Sequence, residues 1–176
     1  MGFTSRLIGL TVLAITMGPS LVLAESDSTT VQVTATILPR LELTVTPEMG
    51  HTVAFGAIEQ PAPGNETERT AHVSLNVFSN PDQPYHVSQL IRHPLRSTDG
   101  AEISETHFRV RTHTASRGQL ALTQPTPIIS GQSTTLYTSN ERGKGDTFSA
   151  EYTLTITPET PAGDFTTDIV YTVTSL

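Results

Sequence analysis

The sequence contains no cysteine and no tryptophan, and only 6% of its 176 residues are aromatic. Without cysteine there is no disulfide, no thiolate metal site and no thiol nucleophile. Sandwiches that bind sugars usually stack pyranose rings on exposed aromatic side chains, and this chain has few to offer. Basic residues are also scarce: ten Lys and Arg stand against 17 Asp and Glu, a formal charge of −7. An acidic chain without a Lys/Arg cluster has no general attraction for nucleic acid or anionic lipid. Arg109, Arg111 and Arg117 are its densest basic group and read as a solvated strand face and turn.

Long apolar runs are missing too. The longest stretch, Leu7 to Met17, falls well short of the ~20 residues needed to span a bilayer. It follows Arg6, the only charged residue before Glu25, and leads through Gly18-Pro19 to Val22-Leu23-Ala24. That three-part layout is the one expected of a secretory signal peptide cleaved after Ala24. Residues 1–24 are therefore expected to be a signal peptide, and residues 25–176 a single β-sandwich domain with no membrane span of its own. Loss of Arg6 leaves nine basic residues against 17 acidic, a formal charge of −8. Export to the periplasm, the cell surface or the medium is the expected destination.

What the sequence has in quantity is a period of two. Val31, Val33, Ala35 and Ile37 alternate with polar residues, as do Leu41, Leu43 and Val45 after Pro39. Val73 to Val77, Tyr85 to Gln89, Phe108 to Arg111, Phe148 to Ile156 and Ile169 to Val173 repeat the pattern. Alternation over five to nine residues marks a strand with one buried face. Clusters such as Ser79-Asn80-Pro81-Asp82 and Pro158-Glu159-Thr160-Pro161 punctuate the runs with turn chemistry. The expected fold is all-β, an antiparallel Ig-like β-sandwich of 7–9 strands with Greek-key connections. Ile91 to Ile103 reads as a polar surface loop with a helical turn around Ala101 to Glu105, and Gly143-Lys144-Gly145 as a hairpin tip.

No reactive constellation is legible. The six histidines (His51, His72, His86, His93, His107 and His113) include no His-x-His pair that would aim two imidazoles from one strand face. His107 and His113 share a face but stand about 20 Å apart at ~3.3 Å per residue. Glu66 and Glu68, and Glu102 and Glu105, read as solvated surface, and Ser116 and Ser149 lack an activating neighbour. The expectation is a non-catalytic protein with no cofactor and no metal.

The segment Val31 to Ile37 is cut from the next strand by Pro39, too closely for an ordinary hairpin. It either forms the first strand of its own sandwich or leaves to pair with a neighbour, since an alternating strand with an open edge invites pairing. Residues 33–43, Val-Thr-Ala-Thr-Ile-Leu-Pro-Arg-Leu-Glu-Leu, resemble the mature start of alternative (alpha-type) chaperone–usher fimbrial subunits. So does the ending Tyr152-Thr-Leu-Thr-Ile-Thr-Pro, Pro161-Ala-Gly-Asp-Phe165 and Ile169-Val-Tyr-Thr-Val173, which is also similar to spore-coat-U-type and WxL-type secreted sandwiches. Lack of tryptophan removes the WxL cell-wall-binding signature. The fimbrial resemblance implies that Val31, Val33, Ala35 and Ile37 are donor-strand residues filling a groove in the next subunit. It implies copies of this chain or related surface subunits as partners, and a periplasmic chaperone. The alternative is a soluble periplasmic or extracellular module binding a glycan or protein, favoured if Phe55, Phe78, Tyr85 and Tyr137 form an exposed cluster.

Overall fold

A computed structural model describes residues 32–176. The expected signal peptide and Val31 lie outside the described residues. The chain divides into two units, Met1–Thr36 and Ile37–Leu176, and of the first only residues 32–36 are described.

The second unit is built almost entirely of strands. These are β1 (Leu41–Pro47), β2 (Thr67–Ser79), β3 (Tyr85–Ile91), β4 (Arg96–Ser97), β5 (Phe108–His113), β6 (Gln119–Leu120), β7 (Thr126–Pro127), β8 (Ser133–Thr138), β9 (Asp146–Ile156), β10 (Phe165–Thr166) and β11 (Ile169–Ser175). A single 3-10 turn, Glu105–His107, is the helical element among the described residues. One sheet runs β1-β2-β9-β5-β7, a second runs β11-β3-β8-β6, and β10 and β4 form a two-residue ribbon. Every pairing is antiparallel.

Period-two alternation explains the layering. Val73, Leu75 and Val77 of β2 turn inward while His72, Ser74 and Asn76 face out, and Phe148, Ala150, Tyr152 and Leu154 of β9 do the same. They meet Tyr85, Val87 and Ile91 of β3 and Leu136 and Tyr137 of β8 in one hydrophobic core. Tyr137 and Phe148 stack across the two sheets at 4.8 Å between centroids and 11° between planes. Burying aromatic and aliphatic faces in this way is the main force holding the layers together.

After β2 the main strands alternate between the sheets, so β8 and β9 belong to different layers. Gly143-Lys144-Gly145 is accordingly an inter-sheet connection and not the tip of a hairpin. Gly143 has φ +54, and a Cβ there would fall 1.6 Å from the Gln83 carbonyl oxygen. Only glycine fits the crossing.

Strand β8 escapes the alternation rule for a physical reason. Its register against β3 slips between Val87 and Ser88, pairing Val87 with Tyr137 and Ser88 with Thr135. Leu136 is the extra residue of this bulge, and Leu136 and Tyr137 are consecutive buried side chains. The stretch from Ile91 to Ile103 also departs from expectation: Ile91, Leu95 and Ile103 are buried and cap one end of the core. The helical turn falls later than expected, at Glu105–His107.

Candidate functional site

Among the described residues, two edge strands, β1 of the five-stranded sheet and β11 of the four-stranded sheet, have no strand on their outer sides. Their inward side chains finish the core only in part. Leu41, Leu43 and Val45 of β1, and Ile169, Tyr171 and Val173 of β11, pack on it yet stay half-buried. Where β1 ends at Pro47 the space between the sheets opens into a cleft of about 990 Å³. Its walls are Val45 and Pro47, residues 51–58 and Gln60, the loop from Thr160 to Asp168, and Ile169 and Tyr171. Its floor is the core itself: Leu95, Ile103, Phe108, Leu154 and Ile156, all buried.

A polar chain runs inward from Tyr171. Its hydroxyl lies 2.7 Å from that of Tyr152, which donates to Gln89 Oε1, so Tyr171 supplies the proton of the first bond. Burial raises the Tyr171 phenol to about 12, partly offset by its bond with Tyr152, and raises the fully buried Tyr152 well above the ordinary range. Both are therefore neutral hydrogen-bonding groups at physiological pH. The Nε2 of Gln89 has no hydrogen-bond partner among the described residues.

Of the segment expected to be a donor strand, the described residues 32–37 carry no strand. Residues 32–40 are irregular and exposed, with Val33 90%, Ile37 86% and Leu38 75% accessible. A short clamp marks where the second unit takes hold of the chain. The Arg40 N–H donates to Asn80 Oδ1, Asn80 Nδ2 donates to the Leu38 carbonyl at 3.1 Å, and the Asn80 N–H donates to the Arg40 carbonyl at 3.1 Å. Arg40 also pairs with Glu42 and lies over the ring of Phe78 at 5.3 Å.

A second cluster, around Asp146, is closed. The buried carboxylate accepts from the N–H groups of Ser116, Arg117, Gly118 and Thr147, from Ser116 Oγ at 2.7 Å and from the Tyr137 hydroxyl at 2.9 Å. Burial opposes its ionisation, but those donors, led by Ser116 and Arg117, outweigh burial and hold it at about 2. A Cβ at Gly118 would meet the Tyr137 hydroxyl at 2.2 Å. Ser116 thus serves the carboxylate as a donor. The one base that the Ser116 hydroxyl meets is this carboxylate, which at about 2 is too weak to draw off its proton.

Sequence spacing missed one histidine grouping. His72 on β2 and His113 on β5 flank Glu151 on β9, with His72 Nδ1 at 3.9 Å and His113 Nε2 at 3.6 Å from Glu151 Oε2. The pairing crosses three strands, so no single-strand motif could reveal it. Glu151 is buried and takes its hydrogen bond from Arg111 Nε at 2.8 Å, which makes Arg111 an ion-pair partner as well as a surface residue. Among the described residues no three His, Asp or Glu side chains are disposed to hold a metal ion.

The aromatic platform considered above does not form. Tyr85 and Tyr137 are core residues, Phe55 is partly buried against Phe108, and Phe78 sits under Arg40. Among the described residues no helix is long and apolar enough to cross a membrane. Comparison with known proteins adds no family: no family model matches the chain, and no curated protein matches it.

Proposed function

We propose that this protein is a non-catalytic, exported surface subunit, structural or adhesive in the manner of a fimbrial or pilus protein, that assembles by β-strand exchange. Residues 31–37 of one copy, through Val31, Val33, Ala35 and Ile37, fill the edge cleft of the next copy or of a related subunit. A periplasmic chaperone covers the cleft until then. The observation that carries this reading is the pairing of opposites in one chain: an alternating apolar segment with Val33 and Ile37 almost fully exposed, and a sandwich whose edge strands leave their inward side chains unfinished. A strand added at an open sheet edge gains main-chain hydrogen bonds along its length and pockets for alternate side chains. Full burial is worth roughly 1 to 3 kcal/mol for each Val or Ile side chain, so the joint is expected to be long-lived.

Sedimentation velocity of the chain from Glu25 onward tests this. The expected result is concentration-dependent polymers that disappear in a Val33→Asp, Ile37→Asp double variant with an unchanged Tm. If the unsubstituted chain stays a monodisperse monomer at high concentration without a chaperone, strand exchange is wrong.

One observation favours a second reading, a soluble periplasmic or extracellular module that binds a glycan or protein. The cleft lies at the upper end of the size range of ligand pockets and is lined by Phe55, Phe108, Phe165 and Tyr171 beside Asp164 and Asp168. A glycan array with binding lost on Phe165→Ala is the result expected of it, and a silent array counts against the glycan form.

A further inference from the structure

The floor of the cleft is already covered. Leu95, Ile103, Phe108, Leu154 and Ile156 are all buried, and part of that cover comes from the chain between β1 and β2. Beyond the turn at Met49–Thr52, residues 53–60 run along the cleft without joining either sheet. Phe55 sets its ring edge-on to Phe108 at 6.0 Å and 84°, and Val53 and Ile58 pack on the core while remaining partly exposed.

Little else holds this segment. Among the described residues no backbone–backbone hydrogen bond involves residues 53–60. The polar tether is the Gln60 side chain, whose Nε2 donates to the Pro158 carbonyl and, at 3.3 Å, to that of Thr160. By contrast β2, which follows it, is bonded to β9 along eleven residues and to β1 along seven. A segment with few backbone hydrogen bonds and partly exposed apolar contacts belongs to the low-stability part of a fold and opens without global unfolding.

An occupant that seats apolar side chains on this floor must take the place of Phe55 and Ile58. We infer that residues 53–60 are a displaceable strap that stands in for the incoming strand and is withdrawn when the cleft is filled. The identity of the occupant rests on the strand-exchange reading above; the opening of the strap does not. The strap keeps the unfilled subunit's core dry. Its closure also lowers the apparent affinity for the strand by the fraction of molecules found open.

Hydrogen exchange of the chain from Glu25 onward, carrying Val33→Asp and Ile37→Asp to prevent self-assembly, tests the strap. The probe is a synthetic peptide of residues 30–38. Expected are amides at 53–60 that exchange at least about 100-fold faster than those of β9, and a peptide that protects β11 while further deprotecting 53–60. Phe55→Ala and Gln60→Ala are expected to raise peptide association about tenfold by enlarging the open fraction. A peptide that protects β11 and leaves exchange at 53–60 unchanged overturns the strap and leaves strand exchange standing. A peptide that protects nothing overturns strand exchange instead. The strap is then decided by an apolar fluorescent dye: it stands if Phe55→Ala makes the folded protein bind the dye, and falls if binding does not rise.

Discussion

The Asp146 cage and the edge cleft solve the same problem, closing a sandwich, with opposite chemistry. Around Asp146, four backbone N–H groups and two hydroxyls converge on one carboxylate, and each donor is satisfied inside the protein. At the cleft, apolar side chains of two edge strands and of residues 53–60 cover the core, and residues 53–60 do so without a backbone ladder. A cage of directional bonds has one arrangement and fixes the loop at Ser116 to Gly118 against the start of β9. A cover made of non-directional contacts can be exchanged for another apolar cover of similar shape. The contrast separates the part that must persist from the part that can be replaced.

The sharpest way to break that contrast is to empty the cage. Asp146→Ala leaves three adjacent N–H groups and the buried Tyr137 hydroxyl without their acceptor. With each orphaned buried group costing about 1 to 3 kcal/mol, and water relieving some of them, a loss of about 3 kcal/mol or more is expected. Urea denaturation followed by tyrosine fluorescence measures it. A loss under about 1 kcal/mol would mean that the cage is ornamental and that packing alone closes this end.

Acid should weaken the cage in a defined window. The folded carboxyl sits at about 2, below the ordinary aspartate value of 3.8 that applies in the unfolded chain. A depressed carboxyl contributes its full stabilisation above the unfolded value and loses it as pH falls through the folded one. About 2 kcal/mol should therefore disappear between roughly pH 4 and pH 2. Asp146→Asn, which cannot titrate, should lack that part of the decline. Parallel urea titrations at pH 5, 3.5 and 2.5 give the comparison, and equal slopes for the two proteins would assign the acid sensitivity to other carboxylates.

How far each region could be read in advance follows from the kind of contact it uses. Strands β2, β9 and β11 were legible because Val73-Leu75-Val77, Phe148 to Ile156 and Ile169-Tyr171-Val173 set apolar side chains on one face at a regular period, although β9, inside its sheet, also buries Glu151, Thr153 and Thr155 on the other. Strand β8 was not, since the bulge at Leu136 puts two buried side chains in succession. The Asp146 cage joins residues thirty apart in sequence through backbone N–H groups that every residue but proline carries, so no side-chain pattern announces it. The cleft was equally silent. It arises where residues 51–60 and the loop from Thr160 to Asp168 converge, and a loop's polar letters conceal Phe55, Ile58 and Phe165. The segment Val31 to Ile37 was marked beforehand by its alternation and Pro39 as a strand, its own or donated, whereas residues 32–37 are irregular and exposed.

The smallest expected effect sharpens the contrast from the other side, at the clamp where the second unit begins. Asn80 holds the Leu38 carbonyl and the Arg40 N–H, both at the surface, so Asn80→Ala should cost about 1 kcal/mol or less and lower Tm by no more than about 4 °C. On the proposed strand exchange, its effect on assembly should be disproportionate for a change outside the cleft. A linker ordered in advance loses less freedom when the strand it carries is captured, and fixing one residue's backbone is worth about 1 to 2 kcal/mol. Partial loss of that order predicts polymers that dissociate a few-fold faster on dilution, measured by light scattering beside a Tm scan. If dissociation is unchanged while Tm falls, the clamp serves only β1, and the exposed segment carries its binding strength in Val31 to Ile37 alone.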